Sequence, residues 1–363
     1  MWRVQNRREK VEVTRRCTLL FSAALALALA DLAKADVSAC KMIQIADLPV
    51  RMVANHVVVD AAINGKKIGA MVDTGSSLTL ILRPATEWLG LDRRETRGYQ
   101  VFGIGGPTKV ESALIDEFKI GNASRKNWRM FVAGEREFGD DIAVILGEDF
   151  FVQMDVEFDL AHNAVRLFKP QNCDGVSLAY WTVDEPREAA LEAMYDYQPQ
   201  ILLTVQVNGQ PVKAMLDSGA SGSILTVADA ARAGVTPATA GVVALPSGKG
   251  LGTKTVDTWV GPFDTVVVGN EIIRHARIRI GDLYKDMTYT SIGSRLAKSI
   301  DQDQPMLLGA DFLRAHRVLV SHSQRKMYFT YLGGPVFAAP PGPPQSGAEP
   351  RSDKDAPPGK DEK

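Results

Sequence analysis

Two carboxylates stand in almost the same dozen residues: Asp73 in "AMVDTGSSLTLI" (70–81) and Asp217 in "AMLDSGASGSIL" (214–225). Each follows an apolar run and precedes a hydroxyl residue and a glycine, Thr74-Gly75 in one copy and Ser218-Gly219 in the other. A lone aspartate at a strand end says little; two in matched settings point to a pair. A duplicated unit tends to pack on its twin about a pseudo-two-fold axis, as an isologous dimer does, and equivalent residues near that axis are brought together. Two carboxyl groups in contact cannot both ionise readily, so they share one proton over an intermediate pH range, one serving as base and the other as acid. That equipment activates a water and protonates a leaving amine without a metal or a covalent intermediate. Gly75 and Gly219 permit tight backbone approach, and Thr74 and Ser218 carry hydroxyls short enough to hydrogen-bond across the junction.

The elements that must hold these aspartates are repeated as well. "HVVVDAAINGKKIGAMVDTGSS" aligns without a gap on "QILLTVQVNGQPVKAMLDSGAS", 144 residues later. Alternating apolar positions around an Asn-Gly pair predict a β-hairpin at the start of each half, its second strand ending in aspartate. Further on, "AVILGEDFF" and "PMLLGADFL" match at Gly147 and Gly309, so the second half is 18 residues longer over this span. Part of the excess is the segment 282–304, which replaces the shorter "GEREFGDD" of the first half. Two copies of so long a unit make a duplicated domain rather than a solenoid. Short, β-branched segments punctuated by glycine predict a mostly-β protein. The expected organisation is a first lobe over 36–169, a linker over 170–198 with a short helix from Arg187 to Tyr195, and a second lobe over 199–332.

Composition and the two ends set the context. The 363 residues, 45% hydrophobic and 23% charged with a formal net charge of -1, are those of a globular protein without the basic footprint of a nucleic-acid binder. Arg7, Arg8, Lys10, Arg15 and Arg16 precede the apolar run Cys17–Ala30, and Ala33-Lys34-Ala35 follows as a cleavage signature, so residues 1–35 read as a secretory signal peptide. The run is shorter than the roughly 20 apolar residues of a membrane-spanning helix, so no transmembrane span is expected in the mature chain. Arg15-Arg16 also resembles a twin-arginine signal and leaves the export route open. Removal of Cys17 leaves Cys40 and Cys173, an even number in an oxidising compartment, and predicts a disulfide. "VSAC" at Cys40 offers lipid anchoring as the lesser alternative, because Asp31, Lys34 and Asp36 separate it from the apolar run. The proline-, glycine- and charge-rich residues 333–363 read as a disordered tail.

"VDTGSS" and "LDSGAS", each followed downstream by an apolar-apolar-glycine element ("VILG" and "MLLG"), resemble the aspartic proteases, and the compact lobes resemble their retropepsin-like branch. Ser76 after Gly75 makes the pepsin branch the alternative. The resemblance covers roughly residues 53–331 and implies an acid-protease fold of two pseudo-symmetric β-barrel lobes. It implies Asp73 and Asp217 as the catalytic pair, Thr74 and Ser218 as interlocking hydroxyls beneath them, and Gly75, Ser76 and Gly219 as their support. "FGIGGPTKV" resembles a glycine-rich flap, with Gly103, Ile104, Gly105 and Gly106 at its tip and the Ile104 N–H aimed at substrate. "LPSGKGLGTKTV", with Gly248 and Gly250, is its counterpart in the second lobe. The implied activity is endopeptidase, with a polypeptide bound as an extended strand, no cofactor, no metal and no nucleic acid, in an exported monomer that is periplasmic or secreted. Ser76 has a hydroxyl that could favour ionisation of Asp73, which Ala220 cannot do for Asp217, so Asp73 is expected to ionise the more readily.

Other residues offer less. Asp149 and Asp311 match each other in "GEDFF" and "GADFL" and read as N-caps of short helices. "GIGG" lacks the lysine-serine element and helix context of a phosphate loop. The five histidines have no metal-ligand spacing, and Ser221 is not in a nucleophile elbow. Two rivals survive: a catalytically silent module of the same fold that binds peptides or partners, and lobes that pair with those of another chain.

Overall fold

The computed structural model describes residues 39–96, 101–193, 199–284, 288–290, 297–299 and 304–337. The expected leader and residues 338–363 of the expected tail lie outside them. The chain divides into two compact units, residues 1–42 with 170–177, and residues 43–169 with 178–363. In the first, Cys40 and Cys173, 133 positions apart in sequence, form the expected disulfide, with Cα atoms 4.5 Å apart.

Both repeats lie in the second unit. His56–Ile63 pairs antiparallel with Lys66–Val72, and Leu202–Val207 with Gln210–Leu216. Asn64 and Gly65 (φ 49° and 81°) and Asn208 and Gly209 (φ 48° and 76°) make the turns; two successive left-handed residues give the connection whose twist suits a two-residue hairpin. In each lobe the second strand then pairs in parallel with a strand that returns much later, Val72 opposite Leu146 and Leu216 opposite Leu308. The returning strand also pairs antiparallel with the short strand after the aspartate, Leu80–Leu82 or Ile224–Thr226. Each aspartate therefore leaves its strand at a point walled by neighbours on both sides. A long hairpin completes each lobe, Glu111–Ile120 with Ala123–Ala133 and Thr255–Val268 with Glu271–Gly281. Their inward residues, Ile115 and Phe118 in one lobe and Phe263, Ile278 and Ile280 in the other, are 2% exposed or less and fill the two cores.

Strands from both lobes meet in one sheet. Asp155–Asp159 pairs with Ala164–Gln171 of its own lobe and, on its other edge, with His316–Ser321 of the second, Val156 opposite Val320 and Phe158 opposite Val318. Lys326–Tyr331 follows, and Arg187–Ala190 adds to its outer edge with Ala189 opposite Met327. The helix expected from Arg187 to Tyr195 is thus absent over its first four residues, which are a strand; residues 194–198 lie outside the described set. So short a run gains little as an isolated helix, whereas the free edge of Lys326–Tyr331 offers backbone partners and buries Ala189. In the long segment of the second lobe, residues 288–290 and 297–299 pair antiparallel as a small hairpin.

Candidate active site

The two aspartates are anchored alike, Asp73 N–H donating to Leu146 O and Asp217 N–H to Leu308 O, both at 2.9 Å. Beneath them the lobes interlock. Thr74 N–H donates to Ser218 Oγ (3.1 Å) and Ser218 N–H to Thr74 Oγ1 (3.0 Å). Each hydroxyl in turn donates to a carbonyl of the opposite lobe, Thr74 to Leu216 O (2.7 Å) and Ser218 to Val72 O (2.8 Å). Both side chains are fully buried. Removing one hydroxyl leaves a buried N–H and a buried C=O without partners, so Thr74→Val and Ser218→Ala are each expected to lower the unfolding free energy by about 2–4 kcal/mol. Denaturant titration measures this; a loss below about 0.5 kcal/mol, within the range of ordinary surface substitutions, would show that the network re-forms without the hydroxyl.

Backbone donors fix the carboxyls themselves. Asp73 Oδ1 accepts from Gly75 and Ser76 N–H, both at 3.0 Å, and Asp217 Oδ1 accepts from Gly219 (3.0 Å) and Ala220 (2.9 Å). The two side chains also hydrogen-bond to each other. Glycine is required where the turns cross: a Cβ on Gly75 would lie 2.5 Å from Asp217 Oδ1, and one on Gly219 2.5 Å from Asp73 Oδ2. Burial pushes both carboxyls above the ordinary carboxylate range, and the neighbouring Asp217 charge pushes Asp73 further still. Two carboxyls so placed cannot both ionise readily. The expected preference of Asp73 for the ionised form is not found, because the Ser76 hydroxyl donates to Leu78 O (2.9 Å) instead of to the carboxylate.

The two glycine-rich segments meet. Val101–Gly103 and Gly106–Thr108 form a hairpin with Ile104 and Gly105 at its tip. In the second lobe Gly248 pairs with Val256 across a ladder that carries residues 250–254 to that tip. Gly252 N–H donates to Ile104 O and Lys254 N–H to Gly105 O, both at 3.0 Å, and Gly250 lies against Ile104. Leu251 packs against Gly103 of the first lobe. The second segment, which resembles the first less closely in sequence, thus occupies the matching place.

A family model described as aspartyl protease matches residues 59–150 and 203–312, more than half of the chain, with one aspartate turn in each segment. The chain belongs to the aspartyl protease family. It has the acid-protease fold of that family, mostly β with two lobes related by a pseudo-two-fold axis. Among individual proteins, the UBA domain-containing protein Mud1 of Schizosaccharomyces pombe is similar, 28% identical over 141 residues. That stretch is 38% of this chain and 36% of Mud1, so the chain spans about a third of that relative's length. Among solved structures, the aspartic proteinase of Irpex lacteus is similar at 11% identity and a TM-score of 0.46, over 81% of this chain and 97% of that one.

In this aspartyl protease family member, Asp149 and Asp311 are structural in a way that differs from expectation. Gly147 and Gly309, not the aspartates, occupy the N-cap positions, and no side chain caps either helix. Asp149 Oδ1 accepts from Thr79 N–H and Oγ1–H, both at 2.7 Å, and Asp311 Oδ1 from Ser223 N–H (2.8 Å) and Oγ–H (2.6 Å). The same hydroxyls accept from Gly147 and Gly309 N–H. Each of these aspartates therefore ties the loop after Asp73 or Asp217 to the returning strand, a partner distant in sequence that takes the place of the local cap. Burial pushes the Asp311 carboxyl up to about 6, the hydrogen bonds from Ser223 opposing it. With the folded value raised, its stabilising effect is complete below the unfolded value of 3.8 and is lost as pH rises through about 6. Over that window the parent is expected to lose about 3 kcal/mol that Asp311→Asn does not lose, measured as the difference in unfolding free energy between pH 4 and pH 7. Parallel pH dependences for the two proteins would sink this assignment.

Three neighbours of the dyad carried no signal in sequence. Glu148 is fully buried, its carboxyl 3.7 Å from His322 Nε2 with no hydrogen-bond partner among the described residues. Burial, and then the charges of Asp73 and Asp149, raise it well above its usual range. Its counterpart in the other lobe is Ala310. His56 and Gln200, 144 residues apart, reach across to the opposite active turn, His56 Nδ1 to Gly219 O (2.8 Å) and Gln200 Nε2 to Ser77 Oγ (2.6 Å). Among the described residues no group of three His, Cys, Asp or Glu side chains could hold a metal, and no helix is long and apolar enough to cross a membrane.

Proposed function

We propose that this chain is an exported aspartic endopeptidase whose catalytic groups are Asp73 and Asp217. The observation that carries the reading is the pair of raised, hydrogen-bonded carboxyls, one from each lobe, each braced by two backbone N–H groups. Asp217, ionised, takes a proton from a water as the water oxygen attacks the scissile carbonyl carbon. Asp73, protonated, gives its proton to the carbonyl oxygen. The resulting diol collapses as Asp217 passes its proton to the amide nitrogen, the C–N bond breaks and Asp73 takes a proton from a diol hydroxyl, which returns the dyad to one shared proton. Substrate lies extended between the lobes as an added strand, with the Ile104 N–H of the first flap among its backbone donors.

Export is supported by the leader pattern in sequence together with the Cys40–Cys173 disulfide. In a host with two membranes this places the enzyme in the periplasm, and otherwise outside the cell. A single chain carries both aspartates, so a monomer suffices for activity. The test is cleavage of an unfolded protein by the purified chain across pH, beside Asp73→Asn and Asp217→Asn. Cleavage by the parent in a bell-shaped profile, absent from both variants, is the expected result. A parent inert at every pH would leave a peptide-binding module of the same fold, and full activity in either variant would rule out the shared dyad.

A further inference from the structure

The second lobe's active turn is gripped by the first lobe through an unusual corner. Ala54 and Asn55 connect two strands with φ of 47° and 66°, and left-handed backbone is a conformation alanine rarely takes. The turn presents two side chains to the opposite lobe. Asn55 Nδ2 donates to Ser221 O, and its own Oδ1 accepts from Arg314 at 3.0 Å. His56 lies 2.8 Å from Gly219 O, the carbonyl of the residue whose N–H braces Asp217. A carbonyl only accepts, so Nδ1 carries the proton, and burial favours the neutral ring.

The imidazole is itself held from behind. It meets the Phe138 ring edge to face, with centroids 5.4 Å apart and planes at 87°, and the Arg136 guanidinium lies over that Phe138 ring, 4.7 Å from its centroid. Arg136 Nη1 donates to Lys249 O (2.7 Å), in the strand that carries the second flap. One stack of three first-lobe side chains therefore touches the second lobe twice, at its active turn and at its flap. At the other end of the dyad Gln200, the counterpart of His56, contacts a hydroxyl rather than a backbone carbonyl.

We infer that His56 is a positioning residue for Asp217, fixing the Gly219 turn through its Nδ1–H, and that the Phe138–Arg136 stack couples this grip to the seating of the second flap. The inference rests on the proteolytic reading above. It makes the first lobe responsible for aiming the second lobe's carboxyl, and it links closure over substrate to alignment of the dyad.

The experiment compares kcat, KM and melting temperature for the parent, His56→Phe, His56→Gln, Arg136→Ala and the His56→Phe/Arg136→Ala double variant. Phenylalanine keeps the ring on Phe138 but cannot donate, so kcat is expected to fall about tenfold to a hundredfold with KM within about twofold. Glutamine, with an amide N–H of similar reach, restores most of kcat. Arg136→Ala lowers kcat less, and the double variant is no worse than His56→Phe alone, since both changes break one linkage. His56→Met, a second non-donor, is run beside the phenylalanine variant so that a folding defect in one does not decide the result. A parent that cuts, with kcat within about twofold in both non-donor variants, would overturn the positioning role, because a misaligned dyad cannot keep its rate. Multiplicative effects in the double variant would overturn the coupling to the flap. A parent inert on every substrate would instead remove the proteolytic reading and this inference with it.

Discussion

Asp73→Asn and Asp217→Asn are each expected to lower kcat by about 10⁴-fold or more, because either change removes general acid and general base together. Asparagine is close to isosteric, and its amide oxygen can still accept from the two backbone N–H groups that brace each carboxyl at 2.9–3.0 Å. Fold and substrate binding should therefore survive, with KM little changed. What is lost is the shared proton. An amide neither takes a proton from water nor passes one to the substrate at ordinary pH, and in Asp217→Asn the remaining Asp73 loses the raising charge of its neighbour while burial still holds its carboxyl above the usual range. The measurement is kcat across pH on an unfolded polypeptide, with melting temperature as the check on folding. A variant that stays folded yet keeps more than about a tenth of the parent rate would show that one carboxyl suffices, since removal of a single positioned acid or base ordinarily costs 10²-fold or more.

Gly219→Ala is expected to be nearly as damaging to activity, for a steric reason alone. The added methyl would stand 2.5 Å from Asp73 Oδ2, well inside any real carbon–oxygen contact. Asp73 cannot yield cheaply, because its Oδ1 is tied to Gly75 and Ser76 N–H and its backbone N–H to Leu146 O. The turn must move instead, carrying Asp217 with it. A displacement near 1 Å at reacting groups costs on the order of 10²-fold in rate, and moving Asp217 also breaks its alignment with Asp73, so a fall of about 10³-fold is expected. The accompanying overpacking should lower the unfolding free energy by about 1–3 kcal/mol. Gly75→Ala faces Asp217 in the same way and should behave alike. Activity within about threefold of the parent in both would mean that the turns are softer than their hydrogen bonding implies, since well-packed sites tolerate no added methylene without a shift.

The route from sequence to site was direct where the rules are local. Asn64-Gly65 and Asn208-Gly209 specify their hairpins because two left-handed residues in succession suit almost no other connection. The same hairpin places aspartate at a strand end in each copy, so duplication alone argued for a pair. Where two partners of similar strength compete, sequence was a poor guide. The Ser76 hydroxyl could pair with a carboxylate or a carbonyl, and it donates to Leu78 O. Asp149 and Asp311 could cap a helix or bind a hydroxyl across the lobe, and the buried cross-link prevailed.

By itself the sequence determined the duplication, the mostly-β class, the two aspartate turns and a pair of cysteines able to join, since each depends on residue type at short spacing or on a count. Only the tertiary structure decided that the two carboxyls touch, that Arg187–Ala190 is a strand, that the two glycine-rich segments hydrogen-bond to each other, and that His56 grips a turn 163 residues away. Those contacts have no local signature. They exist because folding two lobes about one axis brings distant backbone groups within 3 Å, and burial then obliges each polar atom to take whichever partner the packing supplies.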